Sequence, residues 1–214
     1  YGSLAWSSDS NQIFFSAYRS DDWELVSDEA DIYSVSIISK EIKQVTNQPG
    51  AERSPVISPN GKLIAFSKEE RRPLAYSPDR IAIMNLDGTN IRILTNDLDG
   101  DASNIFWSSD SESLYYAYDE QGIRKIGEAT VKGKLSHVAE GLGGTTLGRP
   151  YLSGGFHIAN NTLAFTHGTS ERPANIGVIN GDQVEILTAL NDDLLSHRKL
   201  GAVNEIKYQS SFDG

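Results

Sequence analysis

The sequence predicts an all-β chain organised as a partial β-propeller, about four blades of four-stranded antiparallel sheet. Three observations carry that prediction: a motif that recurs at a near-constant interval, short apolar stretches separated by Gly, Asn and Asp turns, and almost no helical spacing of apolar positions. Residues 6–16 read WSSDSNQIFFS, residues 57–67 ISPNGKLIAFS and residues 107–117 WSSDSESLYYA, and a degraded fourth copy keeps LAFT at 163–166. Aligning Ile13, Ile64, Leu114 and Leu163 gives intervals of 51, 50 and 49 residues. A unit of about 40–50 residues carrying four short strands is the length of a propeller blade. Repetition has a physical reason, because a twisted four-stranded sheet cannot bury both of its faces alone and needs a neighbour on each side.

Within each unit the first strand carries the Trp or its substitute, and the second is IFFS, IAFS, LYYA or LAFT. The third stretches are IYSV (32–35), IAIM (81–84), IRKI (123–126) and IGVI (176–179). The fourth are IKQVTN (42–47), IRILTN (91–96), LSHVAE (135–140) and VEILTA (184–189), ending in Thr or a small residue. LDGTN, VKGK and NGDQ supply the Gly that a tight hairpin needs between the last two strands. The blades are expected over residues 1–47, 48–97, 98–141 and 142–190, with 191–214 as a linker. In the turn SPNG, Pro59 presets φ, Asn60 tolerates a bent backbone and Gly61 takes the left-handed position, so these read as turn residues. Trp6 and Trp107 recur at the repeat interval and read as packing between blades. Ile13, Phe15, Ile64, Phe66, Tyr116 and Phe165 are the expected buried residues. Only LTALNDDLLSHRKL (187–200) shows helical spacing.

Composition narrows the partners. The 214 residues suffice for one domain or two small ones, and 38% hydrophobic content is that of a folding chain. A net charge of −10 repels phosphate backbones and anionic lipid, which argues against nucleic acid. There is no Cys, so disulfides, thiolate zinc and a Cys nucleophile are excluded. No apolar run approaches the roughly 18 residues of a membrane span, so no membrane partner is expected. The chain opens on Tyr1 with no charged leader, and is expected to be an internal piece of a longer protein. Its compartment is not written in it.

Units of the form WSPDG, IAF, IYVVDL and LT resemble the propeller repeats of the TolB type and of the prolyl oligopeptidase (S9) family of serine peptidases. The stretch LTALNDDLLSHRKLGAVNEIKYQSSFDG (187–214) is similar to the junction at which the propeller of an acylaminoacyl peptidase or dipeptidyl aminopeptidase passes into its α/β-hydrolase domain. Leu187, Thr188, Leu190, Asn191, Asp193, Leu194, Leu195, Ser210, Ser211, Asp213 and Gly214 match that arrangement. GRPYLSGGF (148–156), SERPANIGVI (170–179) and RSDDWELVSDEADIYSV (19–35) resemble further stretches of the family, although Asn175 stands where it usually has Asp. The resemblance implies a hydrolase domain in cis after Gly214, short peptides as substrates, and a propeller that caps the active site. Acyl transfer through Ser, His and Asp would be the parent's mechanism.

The chain's own residues hold none of that machinery. A nucleophile elbow needs GxSxG, and the nearest string, YLSGG at 151–155, lacks the first Gly. No catalytic residue is therefore assigned. A propeller of this family can carry glutamates that bind a substrate amino terminus, and the loop with Trp23, Glu24, Asp28 and Glu29 is acidic but lacks a consecutive Glu pair. Trp23 and Glu24, with Arg149 and Tyr151 in GRPYLSGGF, are the candidate substrate contacts. GLGGTTLG (141–148) lacks the Lys of a P-loop, and Asp97, Asp99 and Asp101 lack the Glu and Gly placement of an EF-hand. His137, His157, His167 and His197 fall in separate stretches without metal spacing, so no metal or cofactor is assigned. A sialidase reading fails because the Trp precedes the turn. Two alternatives stay open, a TolB-like interaction module and, more distantly, a carbohydrate-active lyase that would need a His-rich metal site. About four blades leave two faces uncovered, so self-association through the open ends is expected.

Overall fold

The computed structural model describes residues 3–19, 21, 29–70, 76–144, 153–180 and 183–212. Its strands form four sheets, each a four-stranded antiparallel meander in chain order. Sheet 1 holds β1 (Leu4–Trp6), β2 (Gln12–Ala17), β3 (Asp31–Ser36) and β4 (Ile42–Gln44). Sheet 2 holds β5 (Gly50–Ile57), β6 (Leu63–Glu70), β7 (Arg80–Asn85) and β8 (Arg92–Ile93). Sheet 3 holds β9 (Ala102–Trp107), β10 (Ser113–Glu120), β11 (Ile123–Thr130) and β12 (Leu135–Glu140). Sheet 4 holds β13 (Phe156–Ala159), β14 (Thr162–His167), β15 (Asn175–Asn180) and β16 (Gln183–Ile186), followed by a short α1 (Asp192–Leu195). The architecture is the all-β propeller type, and the one α-helix among the described residues falls inside the stretch with helical spacing.

Two-residue periodicity distributes the side chains between neighbouring sheets. In β6, Ile64 and Phe66 join Phe14 and Ile32 of sheet 1, whereas Ala65 between them joins Trp107, Leu114 and Tyr116 of sheet 3. In β7, Ala82 and Met84 face sheet 1 while Ile81 and Ile83 face sheet 3. The contact between sheets 3 and 4 is built likewise, from Ala117 and Ile126 against Phe156, Leu163 and Phe165. Sheet 2 is thus covered on both faces, and Ile64, Ala65, Phe66, Ile81 and Ile83 are all fully buried.

One apolar rung crosses each sheet at the same level. It reads Trp6–Ile13–Val35–Ile42 in sheet 1 and Ile57–Ile64–Met84 in sheet 2. In sheet 3 it is Trp107–Leu114–Ala129–Leu135, and in sheet 4 Ile158–Leu163–Ile179–Val184. Trp107 is 7% exposed and its Nε1–H donates to the Val56 carbonyl at 3.0 Å. Trp6 holds the same place in sheet 1 and is 56% exposed, so the expectation that both Trp residues pack between blades holds for Trp107 alone. Ile13 is likewise only half-buried. The cause is common to both, since among the described residues no sheet lies over that face of sheet 1. Ile64, Phe66, Tyr116 and Phe165 are buried as expected, and Phe15 is 9% exposed.

The Thr that ends the fourth stretch has a defined task. Thr46 Oγ1 accepts the Ile32 N–H at 2.8 Å, Thr95 Oγ1 the Ile81 N–H at 2.9 Å and Thr188 Oγ1 the Ile176 N–H at 2.9 Å. Each hydroxyl satisfies a backbone donor at the end of a ladder, where an unpaired group would cost stability. Sheet 3 has Ala139 there, paired directly with Ile126.

Candidate functional site

Meander topology gives the array two unlike ends. At one end lie the hairpin turns β1–β2 and β3–β4 and their counterparts; at the other lie the β2–β3 type loops and the connections between sheets. The first end is built of repeated tight turns. Ser7 Oγ–H donates to Asp9 Oδ1 at 2.6 Å and accepts the Gln12 N–H at 2.9 Å. Ser58 with Asn60 and Leu63, and Ser108 with Asp110 and Ser113, repeat that pattern. Hydroxyl and backbone donors hold the Asp9, Asp87 and Asp110 carboxyls below the usual range. Gly61 takes φ 69°, and a Cβ there would stand 2.1 Å from Ser8 Oγ of the neighbouring turn. Gly88, at φ 83°, passes so close to sheet 1 that a Cβ would fall 2.1 Å from the Val45 carbonyl oxygen. The turn motif is therefore occupied with the fold, and its side chains are spent on their own backbone.

The opposite end carries the longer connections, whose described parts include 76–79, 94–101, 141–144 and 168–174. Loops of this kind are where scaffolds place recognition. In sequence, the candidate contacts Trp23 and Glu24 fall between β2 and β3, and Arg149 and Tyr151 between β12 and β13. Each of the four lies outside the described residues. Nearby, Glu29 accepts the Gly50 N–H at 3.0 Å, which commits its carboxylate to joining sheets 1 and 2.

A cleft of about 490 Å³ opens at this end between sheets 3 and 4, lined in part by Arg124, Glu140, Leu142, His167, Thr169 and Ser170. Arg124 donates to Ser103 Oγ at 2.9 Å and lies 3.6 Å from Asp119. The glycines of GLGG serve close packing here: a Cβ on Gly144 would stand 2.6 Å from the Ala174 nitrogen. The Leu142 and Gly143 N–H groups go to the Arg124 and Thr166 carbonyls, and the Gly141 and Gly144 carbonyls accept the Gly168 and Ala174 N–H groups. That is the behaviour of a packing turn rather than of a phosphate cradle.

A charged cluster that sequence inspection passes over lies at the junction of sheets 1 and 2. Glu52 is fully buried and bonded to Lys68 Nζ at 2.5 Å, with its second carboxylate oxygen shielded and unbonded. Burial pushes the Glu52 carboxyl up, and the Lys68 ammonium opposes this. Burial also raises Asp31, whose carboxylate accepts from Gln44 Nε2 at 2.9 Å. Asp79 is raised by burial and accepts from Ser67 at 3.0 Å. The missing signal is alternation: GAERSPVI does not read as a strand, so the pairing of Glu52 with Lys68 is not visible beforehand. The cluster holds carboxylates and cations without a nucleophile or an imidazole.

The other motifs are absorbed by structure. Asp101 accepts from Tyr76 O–H at 2.8 Å and the Asp79 N–H at 2.9 Å, fixing the start of β7. His157 packs on Phe106 with 4.8 Å between ring centroids, and His167 on Phe165 at 5.8 Å. Among the described residues, no three His, Asp or Glu side chains are placed to hold a metal.

No protein-family model and no curated protein matches the sequence. Solved structures do match. Acylaminoacyl peptidase from Pyrococcus horikoshii aligns with TM-score 0.70 and 18% identity, over 92% of this chain and 28% of that one. An oligogalacturonate lyase from Vibrio parahaemolyticus aligns with TM-score 0.62 and 15% identity, over 87% of this chain and 53% of that one. TolB from Acinetobacter baumannii aligns with TM-score 0.58 and 16% identity, over 85% of this chain and 41% of that one. The chain thus spans between 28% and 53% of these three proteins. A peptidase, a lyase and TolB share the fold, so the likeness establishes a β-propeller architecture and leaves its use to be argued from this chain's own residues.

Proposed function

We propose that this chain is a non-catalytic propeller portion of a prolyl oligopeptidase family serine peptidase, capping a hydrolase domain that follows Gly214 and limiting access to short peptides. The observation that carries the reading is the tail after sheet 4. Helix α1 is tied back to the β14–β15 loop by the Arg172–Asp192 ion pair, and the chain then runs on without sheet or helix. Along it Val203 is 63% exposed, Ile206 82%, Tyr208 87% and Phe212 97%. Large apolar side chains so spaced are what a segment presents when another body packs against it. The resemblance of SSFDG to the start of a hydrolase domain names that body.

In this reading Trp23, Glu24, Arg149 and Tyr151 are the residues that meet peptide, and chemistry belongs to the following domain. The test compares residues 1–214 with the same chain extended by its natural continuation. The short form leaves an acylaminoacyl nitroanilide intact, and the extended form hydrolyses it and is labelled by a fluorophosphonate beyond residue 214. Hydrolysis by the short form, or a stop codon immediately after Gly214, would overturn the proposal. A stop codon would favour the second reading, a TolB-like interaction module, which the likeness to TolB supports.

A further inference from the structure

We propose that the cleft between sheets 3 and 4 binds a small apolar ligand by its carboxylate, with Arg124 as the counter-ion. Both walls belong to neighbouring sheets of this chain, so the site is independent of whatever precedes sheet 1 or follows sheet 4, and of the peptidase reading. The two-residue period of the strands builds it. Ala117 and Ile126 of sheet 3 meet Phe165 of sheet 4 in the apolar core between the two sheets. One step nearer the loop end on the same faces stand Asp119 and Arg124, paired across β10 and β11, and His167 of β14. The space they border, about 490 Å³, is of the size that holds a small molecule, roughly 300–1,000 Å³. Ile123, 43% exposed at its edge, offers apolar surface to the rest of the ligand.

The preference for a carboxylate comes from a comparison with sheet 2. Register puts Arg53, Ser67, Glu69 and Asp79 of sheet 2 where sheet 3 has Ser103, Ala117, Asp119 and Arg124. In sheet 2 the charges satisfy one another, Arg53 meeting Glu69 at 3.0 Å and Ser67 donating to Asp79 at 3.0 Å. In sheet 3 the cation has moved to the third strand and is short of acceptors. Its side chain is 15% exposed, Asp119 stands 3.6 Å away, and Nε is buried without a hydrogen-bond partner. Among the described residues, Ser103 Oγ, at 2.9 Å, is the one acceptor its guanidinium reaches. A guanidinium carries five donors in a planar fork that matches a carboxylate. Glu140, which also borders the cleft, is paired in register with Lys125, on the other face of β11 from Arg124. The Leu142 and Gly143 amides are already bonded to carbonyls, so an anion in the cleft falls to Arg124.

Titration of the ¹⁵N-labelled chain with N-acetyl-leucine and with N-acetyl-leucinamide, read by amide shifts, tests this. The acid is expected to give saturable shifts at Gly141, Gly143 and Gly144. The amide, which keeps the shape and loses the charge, is expected to bind at least about tenfold more weakly. Arg124→Gln is expected to abolish that preference, and Arg124→Lys, which keeps the charge without the fork, to reduce it. Asp119→Asn removes the competing anion and is expected to tighten the acid about two- to fivefold, which reads the site even where an Arg124 variant fails to fold. Circular dichroism checks that each variant keeps its sheet signal. A tripeptide ending in a free leucine carboxylate distinguishes the source: shifts at the same glycines extend the site to peptide ends, and their absence confines it to free small acids, with the carboxylate contact upheld in both cases. No saturable shift with the acid, equal affinity for acid and amide, or a preference that survives Arg124→Gln would overturn the proposal. So would an Asp119→Asn variant that binds the acid more weakly.

Discussion

Sheet 2 and sheet 1 are built from the same repeat and differ in how many neighbours they have. Ile64 and Phe66 of sheet 2 are fully buried; Ile13, the counterpart of Ile64, is half-exposed on a face that no sheet covers. The difference teaches that burial in a repeat array is a property of the neighbour as much as of the strand. A sequence pattern that writes "buried" four times is executed only where a preceding sheet covers the strand.

The largest expected effect comes from breaking this contrast at its centre. Phe66→Ala removes a ring enclosed between sheets 1 and 2 and is expected to lower stability by about 3–5 kcal/mol in urea unfolding. Ile42→Ala, on the open rung, is expected to change it by less than about 1 kcal/mol in a Trp6→Glu background, where the open face stays in water. Equal losses would erase the distinction.

Lys68→Met sharpens it for charge. It leaves the buried Glu52 carboxylate without its counter-ion, at an expected cost of about 3–5 kcal/mol at neutral pH. Burial holds the folded-state pKa of Glu52 above its unfolded value, so this cost is full at pH above the folded value. It is relieved as pH falls and disappears below the unfolded value of about 4.3. Urea unfolding of variant and wild type at neutral pH and near pH 4 should therefore show the gap narrowing on acidification. A gap that widens would contradict the burial of Glu52.

The smallest effect separates a covered Thr from an open one. Thr95→Val strips the acceptor from the fully buried Ile81 N–H and is expected to cost about 1–3 kcal/mol. Thr188→Val removes the same bond at the exposed Ile176 and is expected to cost about 0.5 kcal/mol, because water can replace the hydroxyl. Amide exchange at Ile81 and Ile176 reads the two sites separately.

Much of this was legible in the sequence, for reasons that differ by feature. The repeat was visible because Ile13, Ile64, Leu114 and Leu163 each occupy the same rung, and a rung tolerates only apolar residues when neighbours cover it. The SPNG and SSDS turns were visible because Ser58 and Asn60, or Ser108 and Asp110, satisfy the same backbone donors whichever blade they close. The Thr of VTN and LTN could be seen to recur, but its acceptor role depends on the neighbouring strand's Ile N–H, a tertiary fact. Glu52 and Lys68 escaped because a buried ion pair needs partners 16 residues apart on paired strands, and neither residue breaks a local pattern. Trp6 misled because composition records the residue type and says nothing about the missing neighbour. The candidate contacts Trp23, Glu24, Arg149 and Tyr151 rest on sequence resemblance and lie outside the described residues.

The most direct test of the central claim, that adjacent residues on one strand serve different interfaces, is a pair of double-mutant cycles around Phe14. Phe14 shares a cluster with Phe66 of the neighbouring sheet, whereas its chain neighbour Phe15 belongs with Tyr33 on the opposite face. Leu substitutions at Phe14 and Phe66 are expected to show a coupling of about 0.5–3 kcal/mol, and those at Phe14 and Phe15 less than about 0.5 kcal/mol. Strong coupling between Phe14 and Phe15 with none between Phe14 and Phe66 would contradict the arrangement.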